Sequence, residues 1–377
     1  MTCARPGRGA KSSDCVQRRP GVRARAIAAR HDGAMDHEDS SSSKRGMPRR
    51  QFLELAAAAL TAGAAGACAA GPRRGAADSP STAPEAGARP TDAAAFHASR
   101  RFAELPQGRI AYVDRGAGEA AVFLHGAPLN GFQWRGAIDR LAAHRRCVTA
   151  DFMGLGYSEP RDQQSVVPEA QAAMIAALLD ALGIGRVDLV GNDSGGAVAQ
   201  LFMIRNPGRV RTLLLTNCDV EPDSPPPAVM PVIEAARKGT LTDQLASWLA
   251  DKAQARAQFG AKVFSRPREL TDEAIECYFA PNVASPLRRA QFNAYHAALA
   301  PNPLAGAEAE LRRCAVPARI VWGTGDDIFS QASADYLDRT LPQSRGVRRI
   351  PGGKLFFPEE YPDVIAEEAR RLWGITG

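Results

Sequence analysis

The feature that most constrains this chain is the stretch from Arg186 to Gly196, RVDLVGNDSGG. A short apolar run rich in β-branched residues, 187–190, passes directly into Gly-x-Asp-x-Gly-Gly and then into the helix-like AVAQLFMI. Strand, tight turn and helix in immediate succession need small residues on both sides of the turn. Only then can helix and strand approach closely and push one side chain out at the sheet edge. Counting from Gly191, that side chain is Asp193, and Ser194 follows as a backbone donor. A carboxylate that acts as the nucleophile here would attack carbon and form an ester, so the register decides the chemistry. Capping a helix N-terminus is the plainer role for an aspartate, but a cap does not need the flanking glycines.

Strand-like and helix-like segments alternate around this elbow. Residues 102–105 and 110–113 flank Pro106-Gln107-Gly108 as a strand pair, and 120–124 and 147–150 are short strands. Residues 134–143 and 168–182 carry helical spacing. After the elbow come a strand at 210–215 and a helical region at 220–311 broken by Pro and Gly. Alternation then resumes with strand 318–322, helix 333–340, strand 347–350 and helix 361–373. This order predicts an α/β architecture, a mostly parallel sheet with helices on both faces, interrupted by a helical insertion. The core is expected at 96–219 and 312–377, with the insertion at 220–311.

Charge matters only once it is divided along the chain. The formal net charge is +6, but residues 1–50 carry 12 Lys+Arg against 5 Asp+Glu, which leaves the other 327 with 35 against 36. The basic excess belongs to the leader, so no nucleic-acid surface is implied. Residues 1–46, without apolar periodicity, read as a disordered, dispensable extension or as residues ahead of the true start, with Met35 and Met47 as alternative starts. From Met47 the sequence MPRRQFLELAAAALTAGAAGACAAG places Arg49 and Arg50 before a weakly apolar, Ala-rich run that ends in small residues. It resembles a bacterial twin-arginine export signal, with Pro48 and Glu54 departing from the usual pattern. Residues 47–70 are therefore an expected signal peptide, and Cys68 is a candidate lipoprotein attachment site. The protein is expected in the periplasm or held to a membrane by that lipid anchor. Residues 71–95, rich in Pro, Ala, Gly and Ser, read as a linker. Cys147, Cys218, Cys277 and Cys314 are far apart, without ligand spacing, so no metal and no cofactor are expected.

Four motifs stand in order: His125-Gly-x-Pro, Asp151-x-x-Gly-x-Gly-x-Ser, Gly191-x-Asp-x-Gly-Gly and Trp322-Gly-x-x-Asp326. Together they resemble the α/β-hydrolase family over the whole folded part. Asp193 is similar to the nucleophile of its aspartate branch, the haloalkane dehalogenases and epoxide hydrolases. The resemblance implies the α/β-hydrolase fold, with an eight-stranded sheet and a helical cap. It implies that backbone N–H groups of Ala127 and Ser194 hold negative charge, that His125 shapes the oxyanion loop, and that Asp326 orients the base. The sequence departs from the family at the base itself, where Leu355 stands in place of histidine. His296, in an aromatic part of the cap, is the candidate replacement ahead of Lys354. Trp134 and Leu355 are candidate substrate-pocket residues. Ala127 and Ser194 also replace the side-chain donors that dehalogenases use to hold halide. Three readings follow: hydrolysis of a small, mostly apolar molecule (ester, epoxide, lactone or halide) through Asp193 with the base unidentified; a ligand-binding scaffold without turnover; or a lyase using Asp193 as general base. The partner is a small molecule in each case, and the sequence does not set the oligomeric state.

Overall fold

The computed structural model describes residues 91–375. The extension at 1–46, the export signal with Cys68 and most of the linker lie outside the described residues. The folded part begins before residue 96. Asp92 caps a helix at Ala93–Ser99 by accepting from Ala95 N at 2.7 Å. Thr91 bonds Asp139 through both its backbone N–H and its hydroxyl. The linker reading therefore runs too far at its C-terminal end. Composition there is small and polar, but Phe96 is buried and anchors the segment against Phe132 at 5.3 Å.

Nine strands form one sheet: β1 (Arg101–Leu105), β2 (Gly108–Arg115), β3 (Ala120–Leu124), β4 (Arg146–Ala150), β5 (Glu159–Pro160), β6 (Val187–Asp193), β7 (Val210–Cys218), β8 (Ala318–Gly323) and β9 (Ser344–Ile350). Their order is β1-β2-β4-β3-β6-β7-β8-β9, with the two-residue β5 attached to β2. The first pairs are antiparallel, and from β4 onward through β3 to β9 every pair is parallel. The eight-stranded sheet implied by the resemblance is this path; β5 is the addition.

Two apolar layers lie on opposite faces, and strand alternation assigns residues to them. Ala121, Phe123, Val190, Leu214 and Val321 join one cluster with Trp134, Ile138, Phe357 and Ile365. Val122, Leu124, Leu189, Leu213, Leu215, Ile320 and Trp322 join the other, which continues into the insertion. Burial on both faces explains why the central strands read as continuous apolar runs.

The insertion is helical, as its spacing predicts, with helices at Met230–Arg237, Leu241–Ala250, Asp272–Val283 and Pro286–Ala297. Between the second and third lies a wide π-helical turn, Arg256–Gly260. The single helix expected at 134–143 is instead a short 3₁₀ turn, Gly131–Trp134, leading into a helix at Arg135–Leu141. Asn130 accepts from Phe132 N and caps the entry. Among the described residues, no helix is long and apolar enough to cross a membrane.

Candidate active site

Asp193 ends β6 and precedes the helix Ser194–Arg205, with φ +53° and ψ −133°. A non-glycine residue rarely adopts positive φ, and such strain persists only where the surroundings hold it. The small residues of the elbow do the holding. A side chain at Gly195 would collide with the Leu124 carbonyl, and one at Gly196 with Cys218, so the helix can pack this close to β3 and β7 only without them. A Cβ at Gly126 would meet Asp193 Cβ at 2.6 Å.

The carboxylate is buried, yet it has a set of donors. Ala127 N donates to Asp193 Oδ2 at 2.7 Å. The backbone and hydroxyl of Ser194 supply further hydrogen bonds to it. Tyr295, on the cap helix Pro286–Ala297, donates its hydroxyl to Ser194 Oγ at 3.0 Å. Ser194 Oγ has one proton, and accepting from Tyr295 leaves that proton for Asp193. Burial nevertheless dominates. Together with the charge of Asp219 it pushes the Asp193 carboxyl up to about 7, against the lowering effect of the Ser194 and Ala127 hydrogen bonds.

A buried amide network fixes the loops around this centre. Gly126 N donates to Gln133 Oε1 at 2.9 Å, and Gln133 Nε2 donates to Asn192 Oδ1 at 2.6 Å. Asn192 Nδ2 then donates to the Leu355 carbonyl at 3.0 Å. His125 has both ring nitrogens engaged: Nδ1 faces the Gly126 carbonyl at 2.9 Å, and Nε2 accepts from Phe152 N at 3.0 Å. Burial pushes its pKa down. It therefore holds the loop that carries Ala127 and has no free nitrogen for proton transfer.

A cavity of about 280 Å³ opens over Asp193, near the lower end of the ~300–1,000 Å³ of small-molecule sites. Ala127, Asp193, His296 and Leu355 all line it. Its walls are otherwise mainly apolar and come largely from the insertion, including Leu245, Trp248, Phe259 and Phe292. His296 Nδ1 lies 2.9 Å from the Phe292 carbonyl. That oxygen only accepts, so Nδ1 carries the proton and Nε2 is left as an acceptor. Burial pushes the His296 pKa down to about 4, and the ring is neutral at pH 7.

Other sequence candidates are not at the cavity. Trp134 is a correction: it is fully buried in the core layer on the far face, 5.7 Å from the Phe123 ring. As the last residue of the 3₁₀ turn, it is turned under the sheet. Asp326 does not line the cavity either. Asn217 Nδ2 donates to its Oδ2 at 2.7 Å and Ile328 N to its Oδ1 at 2.9 Å. Burial raises its pKa, and the Ile328 and Asn217 hydrogen bonds oppose the rise. Lys354 donates to the Ala261 carbonyl on the insertion. Ser194 meets Asp193 and Tyr295 but not the cavity.

Two residues were missed by sequence reasoning. Asp219 directly follows β7, and in the parallel pairing of β6 with β7 Asp193 stands opposite Cys218. It is buried, accepts from Ser224 Oγ at 2.7 Å, and burial pushes it up to about 6. Its signal was available: a carboxylate immediately after an apolar strand, as with Asp151. Tyr295 carried no such signal, because its meaning depends on where the cap helix lies. Among the described residues, no group of three or more His, Cys, Asp or Glu is arranged to hold a metal.

A family model described as "alpha/beta hydrolase fold" matches residues 121–361. A 2-hydroxy-6-oxo-2,4-heptadienoate hydrolase of Pseudomonas putida is 40% identical over 105 residues, which cover 27% of this chain and 38% of that protein. Haloalkane dehalogenase 2 of Mycobacterium bovis is 33% identical over 117 residues, 31% of this chain and 41% of that one. The chain thus spans less than half the length of these curated relatives. Among solved structures, an epoxide hydrolase without ligand superposes with a TM-score of 0.62 at 21% identity, covering 73% of this chain and 98% of that one. At that identity the likeness speaks for the fold alone.

Proposed function

The chain belongs to the alpha/beta hydrolase fold family, and from that membership we propose that it is a hydrolase-type enzyme in which Asp193 attacks carbon of a small, mostly apolar electrophile. The observation that carries this reading is the Asp193 carboxylate held at positive φ under a mainly apolar cavity, with Ala127 N on one oxygen. Oδ2 is fixed by the Ala127 N–H and Oδ1 attacks. As the new C–O bond forms, the carbon–halogen bond breaks and halide leaves, or the epoxide C–O bond breaks and its oxygen takes a proton from water, so that the product is an ester on Asp193. Attack on the carbonyl of an ester would instead expel the alcohol and leave an anhydride. A relative named for haloalkanes and one named for a dienoate support a carbon electrophile as the substrate class.

Release from the ester is the slow half. Leu355 occupies the position where the family's base is expected, and a hydrocarbon cannot activate water. His296 is the replacement base in this proposal: its Nε2 is free to accept a proton. With a pKa near 4 it is a weak base, and the ester on Asp193 accumulates. A second reading is favoured by the burial of Asp193 close to Asp219, which pushes its carboxyl up to about 7. That value suits a general base working near neutrality, which would catalyse an elimination and need no release step.

Incubating the protein with a panel of haloalkanes, epoxides and esters and weighing it intact tests both readings. Nucleophilic attack gives a mass increase that is absent in Asp193→Asn. Turnover lost in Asp193→Asn, with no adduct at any time, means a working base that clears the ester when the product is an alcohol and points to the general-base elimination when it is an alkene; no adduct and no turnover leaves only a ligand-binding scaffold. We further propose export through Arg49 and Arg50 of the leader, with Cys68 as a lipid site. Cell fractionation of an Arg49→Lys, Arg50→Lys double variant tests this, and unchanged export would contradict it.

A further inference from the structure

The cavity over Asp193 has polar groups at both ends, and their character differs. At the floor stands Asp193, the one acidic residue among those lining the cavity. At the mouth stand Gln258 and Lys262, both exposed. They come from one short segment, the wide turn Arg256–Gly260 and the helical turn Ala261–Val263 that follows it. Four residues apart on helical backbone, they project to the same side.

Their hydrogen-bonding capacity is one-sided. Trp248 Nε1 donates to Gln258 Oε1 at 2.9 Å. An indole N–H only donates, so the amide orientation is fixed and Gln258 turns its NH₂ group elsewhere. Among the described residues, Lys262 has no salt-bridge partner, in contrast to Lys252, which pairs with Glu276 at 2.7 Å. Beside the exposed amide of Gln244, which offers both a donor and an acceptor, the mouth presents the Lys262 ammonium and the Gln258 NH₂, and the wall between mouth and floor is hydrocarbon from residues such as Val232, Leu245 and Phe292.

A neutral apolar substrate would leave these donors with water alone. Deepening the reading of this cavity as the substrate site, on which the inference rests, we propose that the preferred substrate is a short apolar chain ending in a carboxylate. The carboxylate lies at the mouth against Lys262 Nζ and Gln258 Nε2, and the reacting carbon lies at the floor beside Asp193. Charge-assisted hydrogen bonds of this kind are among the stronger polar contacts, and they orient the chain as well as hold it. The placement also keeps the substrate charge away from Asp193, where two like charges would repel.

Calorimetric titration of the full chain with octanoate and with 1-octanol tests this without requiring any reaction. Octanoate is expected to bind about five- to tenfold more tightly than the alcohol. Lys262→Gln is expected to weaken octanoate binding until the preference is lost, and Lys262→Arg to retain it. Lys262 is exposed, so neither change strips the core. Equal affinity for the two ligands, binding of neither, or a preference that survives Lys262→Gln overturns the proposal. Adduct formation on Asp193 is read separately by mass, so failure of the nucleophile reading and failure of the carboxylate preference are distinguishable.

Discussion

Two loops at the same edge of the sheet contrast sharply: the elbow at Gly191–Gly196 and the loop after β9 that carries Leu355. At the elbow, close approach, positive φ and hydrogen-bond donors all converge on one carboxylate. In the loop after β9 the backbone is held just as firmly, with Asn192 donating to the Leu355 carbonyl, yet the side chain at the cavity is hydrocarbon. In the proposed reading, the elbow supplies the attacking group, whereas the loop after β9 brings a side chain to the cavity that cannot move a proton. Positioning and proton transfer are separable here: the first is built from backbone and amides, the second from one side chain.

The largest effect should come from breaking the elbow side of the contrast. Asp193→Asn is expected to abolish adduct formation by at least ~10³-fold, read by intact mass. The same variant should raise stability at pH 8. Burial pushes the Asp193 carboxyl up to about 7 in the folded state, above its ordinary 3.8, so the folded protein binds the extra proton between these values and loses relative stability as pH rises through them. Removing the buried charge should therefore stabilise by on the order of 2–4 kcal/mol at pH 8 and by little at pH 4. Thermal melts at the two pH values give the comparison; equal shifts would contradict it.

Filling the empty side comes next. Leu355→His places a base on a loop already fixed by Asn192, and release of the Asp193 ester should accelerate by ~10²-fold. Single-turnover decay of the adduct measures this, and an unchanged lifetime would mean that position 355 does not address the ester. His296→Gln should have the opposite sign, slowing release severalfold if His296 is the weak base at work. Smallest is the cap contact. Tyr295→Phe lets the Ser194 hydroxyl turn away from Asp193, so the Asp193 pKa rises. The rate of adduct formation at pH 6.5 should fall about two- to tenfold and recover at pH 8.5. A pH profile that does not move would show Tyr295 to be packing only.

Much of this was legible in sequence for one physical reason: central strands buried on both faces must be continuously apolar, and an elbow must be small. That fixed β3, β6 and β8 to within a few residues, and it made Asp193 stand out. The terminal helix Ala93–Ser99 was not legible, because one buried aromatic, Phe96, anchors an otherwise polar segment. Trp134 misled because a large aromatic near a loop can face either layer, and only the 3₁₀ turn decides which. Tyr295, Gln258 and Lys262 acquire meaning from how the cap folds over the sheet, and no local pattern encodes that. Asp219 was within reach of the reasoning that found Asp151, and its proximity to Asp193 follows from the pairing of β6 with β7.

The central claim, that attack is intact and release is impaired, is tested most directly by the lifetime of the covalent state. Mixing the protein with a reactive electrophile from the panel and following intact mass over time should show one equivalent of ester on Asp193. That ester should form on a pH limb centred near 7 and outlast many times its own formation. Steady multiple turnover with no adduct accumulating at any time would contradict the account.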